Sequence, residues 1–108
     1  MFDILVVEDD AKLNQIYCSA LRNNSFNAVP AFDGEEALNI MAEKNFDLVI
    51  SDIMMPGVDG YELTRELREY YPELPILMIS AKEDFEDKRH GFLAGIDDYM
   101  VKPVDLNE

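Results

Sequence analysis

The sequence predicts an α/β domain, a parallel sheet with helices on both faces, and three observations carry that reading. Short runs rich in β-branched and apolar residues alternate with segments of helical period along the whole chain. The runs are continuous in apolar character, as in Ile4-Leu5-Val6-Val7, which is the pattern of strands buried on both sides. Pairs such as Asn23-Asn24, Gly57 with Gly60, and Pro72 with Pro75 fall between the runs, where turns are needed.

The elements follow in order. After Ile4–Val7, the residues Leu13, Ile16, Tyr17, Ala20 and Leu21 recur at helical spacing, and Asn23-Asn24 ends that helix. A strand over 27–31 contains Pro30, which cannot donate to a central ladder, so this strand belongs at an edge. Asp33-Gly34-Glu35-Glu36 opens a second helix carrying Ala37, Leu38 and Met41. Leu48-Val49-Ile50 is a third strand, Gly57 and Gly60 bracket a loop, and Leu63, Leu67 and Tyr70 mark one face of a third helix. Ile76–Ile79 and Tyr99–Val101 are the fourth and fifth strands. Residues 83–93 form a weaker helix, whose apolar stripe of Phe85, Phe92 and Leu93 is interrupted by Asp87-Lys88-Arg89-His90. Asp105-Leu106-Asn107-Glu108 has the form of a capping box, so a fifth helix is expected to start there and to be truncated, with the natural protein continuing beyond it.

Length and charge bound the function. A chain of 108 residues fits one domain. Its 23 acidic against 9 basic residues give a net charge of −14, which argues against binding nucleic-acid phosphates or an anionic membrane surface and favours a cation or a basic partner. The single cysteine, Cys18, cannot close an internal disulfide and lies among the apolar residues of the first helix, so it reads as core. No apolar stretch approaches the ~20 residues of a membrane span. A cytoplasmic location is expected.

In an open parallel sheet, functional groups gather beyond the carboxyl ends of the strands. Those ends supply Glu8, Asp9 and Asp10 from the first strand, Asp52 from the third, Ser80 from the fourth and Lys102 from the fifth. Clustered carboxylates repel one another and call for a cation. Mg²⁺ suits them, taking one or two carboxylates, waters and phosphate oxygens. Lys102 offers a point charge and Ser80 a hydroxyl for a phosphoryl group. The chemistry this points to is Mg²⁺-assisted phosphoryl transfer onto a carboxylate, although Asp9 or Asp10 could equally be a simple helix cap.

The segments Ile4-Leu5-Val6-Val7-Glu8-Asp9-Asp10, Asp47–Gly57 (with Asp52-Ile53-Met54-Met55-Pro56) and Gly95–Pro103 closely resemble the receiver domain of bacterial two-component response regulators, over residues 1–108. The resemblance implies a doubly wound, flavodoxin-like five-stranded sheet of order 2-1-3-4-5. It implies that Asp52 accepts the phosphoryl group from a sensor histidine kinase. Asp9 and Asp52 would ligate Mg²⁺ directly, Glu8 through water and Met54 through its carbonyl oxygen. Lys102, followed by a cis Pro103, would pair with the phosphate, while Ser80 and Tyr99 would form the switch. Lys102-Pro103-Val104-Asp105 resembles receivers joined to winged-helix DNA-binding domains. That implies a homodimer through residues 83–104 and DNA contact only through a further C-terminal domain. Two departures stand out: the missing fifth helix, and Arg89 where the family often has an apolar residue.

Rival readings lack their motifs. A haloacid-dehalogenase phosphatase needs D-x-D where this chain has Asp52-Ile53-Met54. A flavin- or nucleotide-binding flavodoxin needs a Gly-, Ser- or Thr-rich cradle after the first strand, where three carboxylates stand. No D-x-D-x-D-G loop of an EF-hand is present.

Overall fold

A computed structural model describes residues 2–52, 60–80 and 98–101. The weak helix at 83–93, the Gly57 loop, Met54, Lys102, Pro103 and the capping box at 105–108 lie outside the described residues. Strands β1 (Asp3–Val7), β2 (Asn27–Ala31), β3 (Leu48–Asp52), β4 (Ile76–Ser80) and β5 (Asp98–Val101) form one parallel sheet of order β2-β1-β3-β4-β5. Helices α1 (Ala11–Asn23), α2 (Gly34–Glu43) and α3 (Gly60–Tyr70) connect them. The expected doubly wound architecture and strand order are those observed.

Pro30 shows why β2 tolerates its edge. The carbonyl of Ala31 accepts from the Glu8 N–H at 3.0 Å, so Ala31 turns its polar backbone groups toward β1. Backbone polarity alternates along a strand, and the nitrogen of Pro30 therefore faces away from the sheet, where no N–H is required.

Alternation along each strand divides the core in two. Leu5 and Val7 of β1, Val49 of β3, and Ile76 and Met78 of β4 pack with Ala37 and Met41 of α2 and Leu63 and Leu67 of α3. Ile4, Val6, Ile50 and Ile79 turn the other way and meet Tyr17, Cys18 and Leu21 of α1. The continuous apolar runs are thus explained, because both faces of the sheet are covered.

Two residues expected on inner faces lie outside. Ile16 is 54 % exposed, because the buried stripe of α1 is Asn14, Tyr17, Cys18 and Leu21. At 3.6 residues per turn Ile16 sits about half a turn from its centre. Tyr70 is 71 % exposed. The inner position one turn after Leu67 belongs instead to Tyr71, which packs against the α2–α3 core and donates its hydroxyl to the Met41 carbonyl at 3.1 Å. Counting apolar residues misplaced both, since each helix buries a polar residue (Asn14, Thr64) in its inner face.

Helix α1 ends in a Schellman motif. The Phe26 N–H donates to the Leu21 carbonyl at 3.1 Å, and the Ser25 N–H to the Arg22 carbonyl at 3.1 Å. This geometry puts Ser25 at a φ of 70°, the left-handed region in which glycine avoids the Cβ clash. Ser25→Gly is expected to stabilise the fold by roughly 0.5–1 kcal/mol, the left-handed penalty less the added chain entropy of glycine. The check is the urea midpoint at unchanged m-value; a lower midpoint would refute this account of the turn.

Candidate functional site

All strands of a parallel sheet finish at the same edge, and here that edge gathers acidic side chains. Asp52 is the last residue of β3 and Glu8 follows β1, while β1 and β3 are direct neighbours, with Val7 opposite Ser51. One carboxylate oxygen from each of Glu8, Asp9 and Asp52 lies within 4.8 Å of the others. Glu8 and Asp52 are buried and Asp9 is exposed, so the group lies at the floor of the edge and opens to solvent on one side.

The three consecutive acidic residues after β1 part company. Asp10 caps α1: its Oδ1 accepts from the backbone N–H groups of Lys12 at 3.0 Å and Leu13 at 3.1 Å. Those two donors have no intrahelical partner, which is the usual reason for an acidic residue at this position. Asp9 has no such role and joins the cluster. Glu8 also accepts, through Oε2, from the Asp10 N–H at 3.3 Å. Of the two residues that the sequence left open as a helix cap, Asp9 and Asp10, the helix start claims Asp10.

Ser80 closes β4 and stands opposite Val101, the last residue of β5. Tyr99 is paired with Met78 in the β4–β5 ladder. Met54 and Lys102 lie outside the described residues. A cavity lined by Met41, Phe46, Tyr71, Pro72 and Leu74 opens at the other end of the sheet and shares no residue with the acidic cluster.

One residue escaped the sequence reading. Asn14 is fully buried in α1, and its Nδ2 donates to the carbonyls of Val6, Glu8 and Ala31 at 3.2, 3.1 and 3.0 Å. A polar residue inside an apolar stripe was the available signal. Burial of an amide is costly unless it is bonded, so its partners had to lie on the sheet.

A parallel sheet of this order, with acidic groups gathered beyond its first and third strands, defines a flavodoxin-like protein whose site is at the carboxyl edge. Residues 4–108 match the family model of the response regulator receiver domain, and the chain belongs to that family. Receiver domains are phosphoacceptor switches of two-component systems. Among relatives, the chain is 40 % identical over 108 residues to the heme response regulator HssR of Staphylococcus epidermidis and 34 % identical to HssR of Staphylococcus aureus, covering all of this chain and 48 % of each. It therefore spans about half the length of the curated relatives it matches. Among solved structures, the chemotaxis protein CheY4 of Vibrio cholerae superposes with a TM-score of 0.93 at 32 % identity, covering 97 % of this chain and 89 % of that one. The response regulator TrrA of Thermotoga maritima, in complex with Mg²⁺ and BeF, gives 0.89 at 32 % identity, covering 99 % and 91 %. No helix among the described residues is long and apolar enough to cross a membrane.

Adjacent acidic residues should respond oppositely to substitution. In divalent-free buffer at neutral pH, Asp10→Ala is expected to cost about 1 kcal/mol through loss of the cap. Asp9→Asn should raise the melting temperature by relieving repulsion within the cluster. Parallel thermal melts test the pair; a loss of stability in Asp9→Asn would contradict the repulsion.

Proposed function

We propose that the chain is switched by a phosphoryl group carried on Asp52, transferred from a phosphohistidine of a sensor kinase with Mg²⁺ held at Glu8, Asp9 and Asp52. The observation that carries this is the approach of three carboxylate oxygens to within 4.8 Å at the carboxyl edge of the sheet. Such a donor set suits a hard divalent cation, which prefers oxygen ligands and keeps several waters. Mg²⁺ bound there supplies charge neutralisation for the transferring phosphoryl oxygens.

The chain's own residues supply the rest. A carboxylate oxygen of Asp52 attacks phosphorus, a P–O bond forms as the P–N bond to the histidine breaks, and the departing imidazole nitrogen takes up a proton. The product is an acyl phosphate. Water attacking its phosphorus restores the Asp52 carboxylate and releases inorganic phosphate, so the domain promotes its own phosphorylation and dephosphorylation without turning over a series of substrates. Burial of Asp52 at 7 % exposure limits approach to the open side of the cluster, which favours in-line delivery from one direction.

Met54 through its carbonyl oxygen, Lys102 as the phosphate's counter-charge, and Ser80 with Tyr99 as the responding pair complete the proposed site. Support for Lys102 and Ser80 comes from the register, in which β4 and β5 end together at the edge that holds Asp52. The same proposal makes residues 1–108 the receiver unit of a longer cytoplasmic regulator. A homodimer through residues 83–104 would pass the signal to a DNA-binding domain. The length of the relatives supports a further domain, since this chain covers 48 % of HssR.

Incubation with acetyl phosphate and Mg²⁺ should add the mass of one phosphoryl group, labile to base. Chelation of divalent cations should abolish the addition, and Asp52→Asn should take up none. Undiminished labelling of Asp52→Asn would assign the acceptor elsewhere.

A further inference from the structure

The side chain of Asn14 is hydrogen-bonded to the backbone that carries two of the three clustered side chains. Its Nδ2 lies among three carbonyl oxygens, those of Val6, Glu8 and Ala31, at 3.0–3.2 Å. An amide nitrogen has two hydrogens, so one of the three bonds is shared. The reverse amide orientation would set its oxygen against three carbonyls, so the nitrogen must face the sheet. Oδ1 then faces into the helix and accepts from the Cys18 thiol at 3.2 Å. Burial pushes that thiol's pKa up, with Arg22 opposing more weakly, so Cys18 keeps the proton it donates.

The Glu8 carbonyl is the informative partner. It lies one residue beyond the last residue of β1, and it belongs to the peptide group joining Glu8 to Asp9. That group is planar and contains the Cα atoms of both residues. A bond to this carbonyl therefore restrains the peptide group on which both carboxylate side chains are mounted. The bonds to Val6 and Ala31 tie the same amide to β1 and β2. The Asp10 carbonyl accepts from the Asn14 backbone N–H at 2.9 Å, joining it to the far side of the acidic turn. An apolar side chain would fill the same space in α1 and hold none of this.

We infer that Asn14 is a positioning residue for the cation site: it holds the Glu8–Asp9 peptide in place, Cys18 keeps its amide oriented, and together they set the site's affinity for divalent cations. The inference rests on the proposal that Glu8, Asp9 and Asp52 hold Mg²⁺. Loss of groups that orient metal ligands typically weakens binding by about 10–100-fold.

The test is Mg²⁺ titration by calorimetry on the 108-residue chain, with a urea melt of each variant. Asn14→Leu should bind Mg²⁺ about 10-fold more weakly. Cys18→Ala should weaken binding less, and Cys18→Ser, which keeps a donor, should restore it. Leu67→Ala, in the core on the opposite face of the sheet, should lose stability while keeping wild-type affinity. If Asn14→Leu does not fold, Asn14→Thr and the Cys18 pair give the same reading. Wild-type affinity in folded Asn14→Leu, or in both Asn14→Thr and Cys18→Ala, would overturn the inference. So would an equal loss of affinity in Leu67→Ala, which would make the effect one of general stability. A wild-type chain that binds no Mg²⁺ would instead overturn the reading of the acidic cluster, and this inference with it.

Discussion

Three carboxylate oxygens within 4.8 Å of one another repel, and two of the residues that carry them are buried. This is the constraint around which the carboxyl edge of the sheet is organised. Unlike a surface acidic patch, the group cannot spread into solvent, because Glu8 and Asp52 are attached to adjacent parallel strands locked in register. The strand register itself therefore keeps the carboxylates of Glu8 and Asp52 close together. The rest of the domain holds the group in that arrangement.

The holding is done on both sides. The paired strands β1 and β3 fix the spacing of Glu8 and Asp52 along the sheet. On the α1 side, Asp10 satisfies the first free N–H groups of the helix, while Asn14 one turn later gathers three backbone carbonyls. Cap and amide together anchor both ends of the short turn that carries Asp9. The sheet behind them is sealed by two separate apolar layers. Disturbing one layer thus need not disturb the other.

Asp52 joins the family's chemistry to the fold. It is the last residue of its strand, still within the ladder opposite Ile79, so its backbone is held as firmly as the core while its carboxylate reaches the edge. A phosphoryl group placed there would add charge and bulk at the carboxyl ends of the strands. Small displacements would then be transmitted to the backbone of neighbouring strands, including β4, which ends at Ser80 beside the last residue of β5.

Period and punctuation alone determined much of this protein. Continuous apolar runs required a sheet covered on both faces, Pro30 required an edge, and the carboxylates at the strand ends marked the crevice. These are local properties, written into neighbouring residues by the fixed geometry of helix and strand. Which acidic residue does what was not local. Asp9 and Asp10 are chemically alike, and only the path of the chain into α1 gave the cap to Asp10 and left Asp9 in the cluster. Ile16 and Tyr70 looked like core residues until the buried polar groups Asn14 and Thr64 showed where the inner faces lie. Asn14 itself has meaning only once β1, β2 and α1 are assembled, because its partners Val6 and Ala31 come from two strands and Glu8 from the turn after β1. A hydrogen bond depends on where atoms meet in space, and that convergence is decided by tertiary packing.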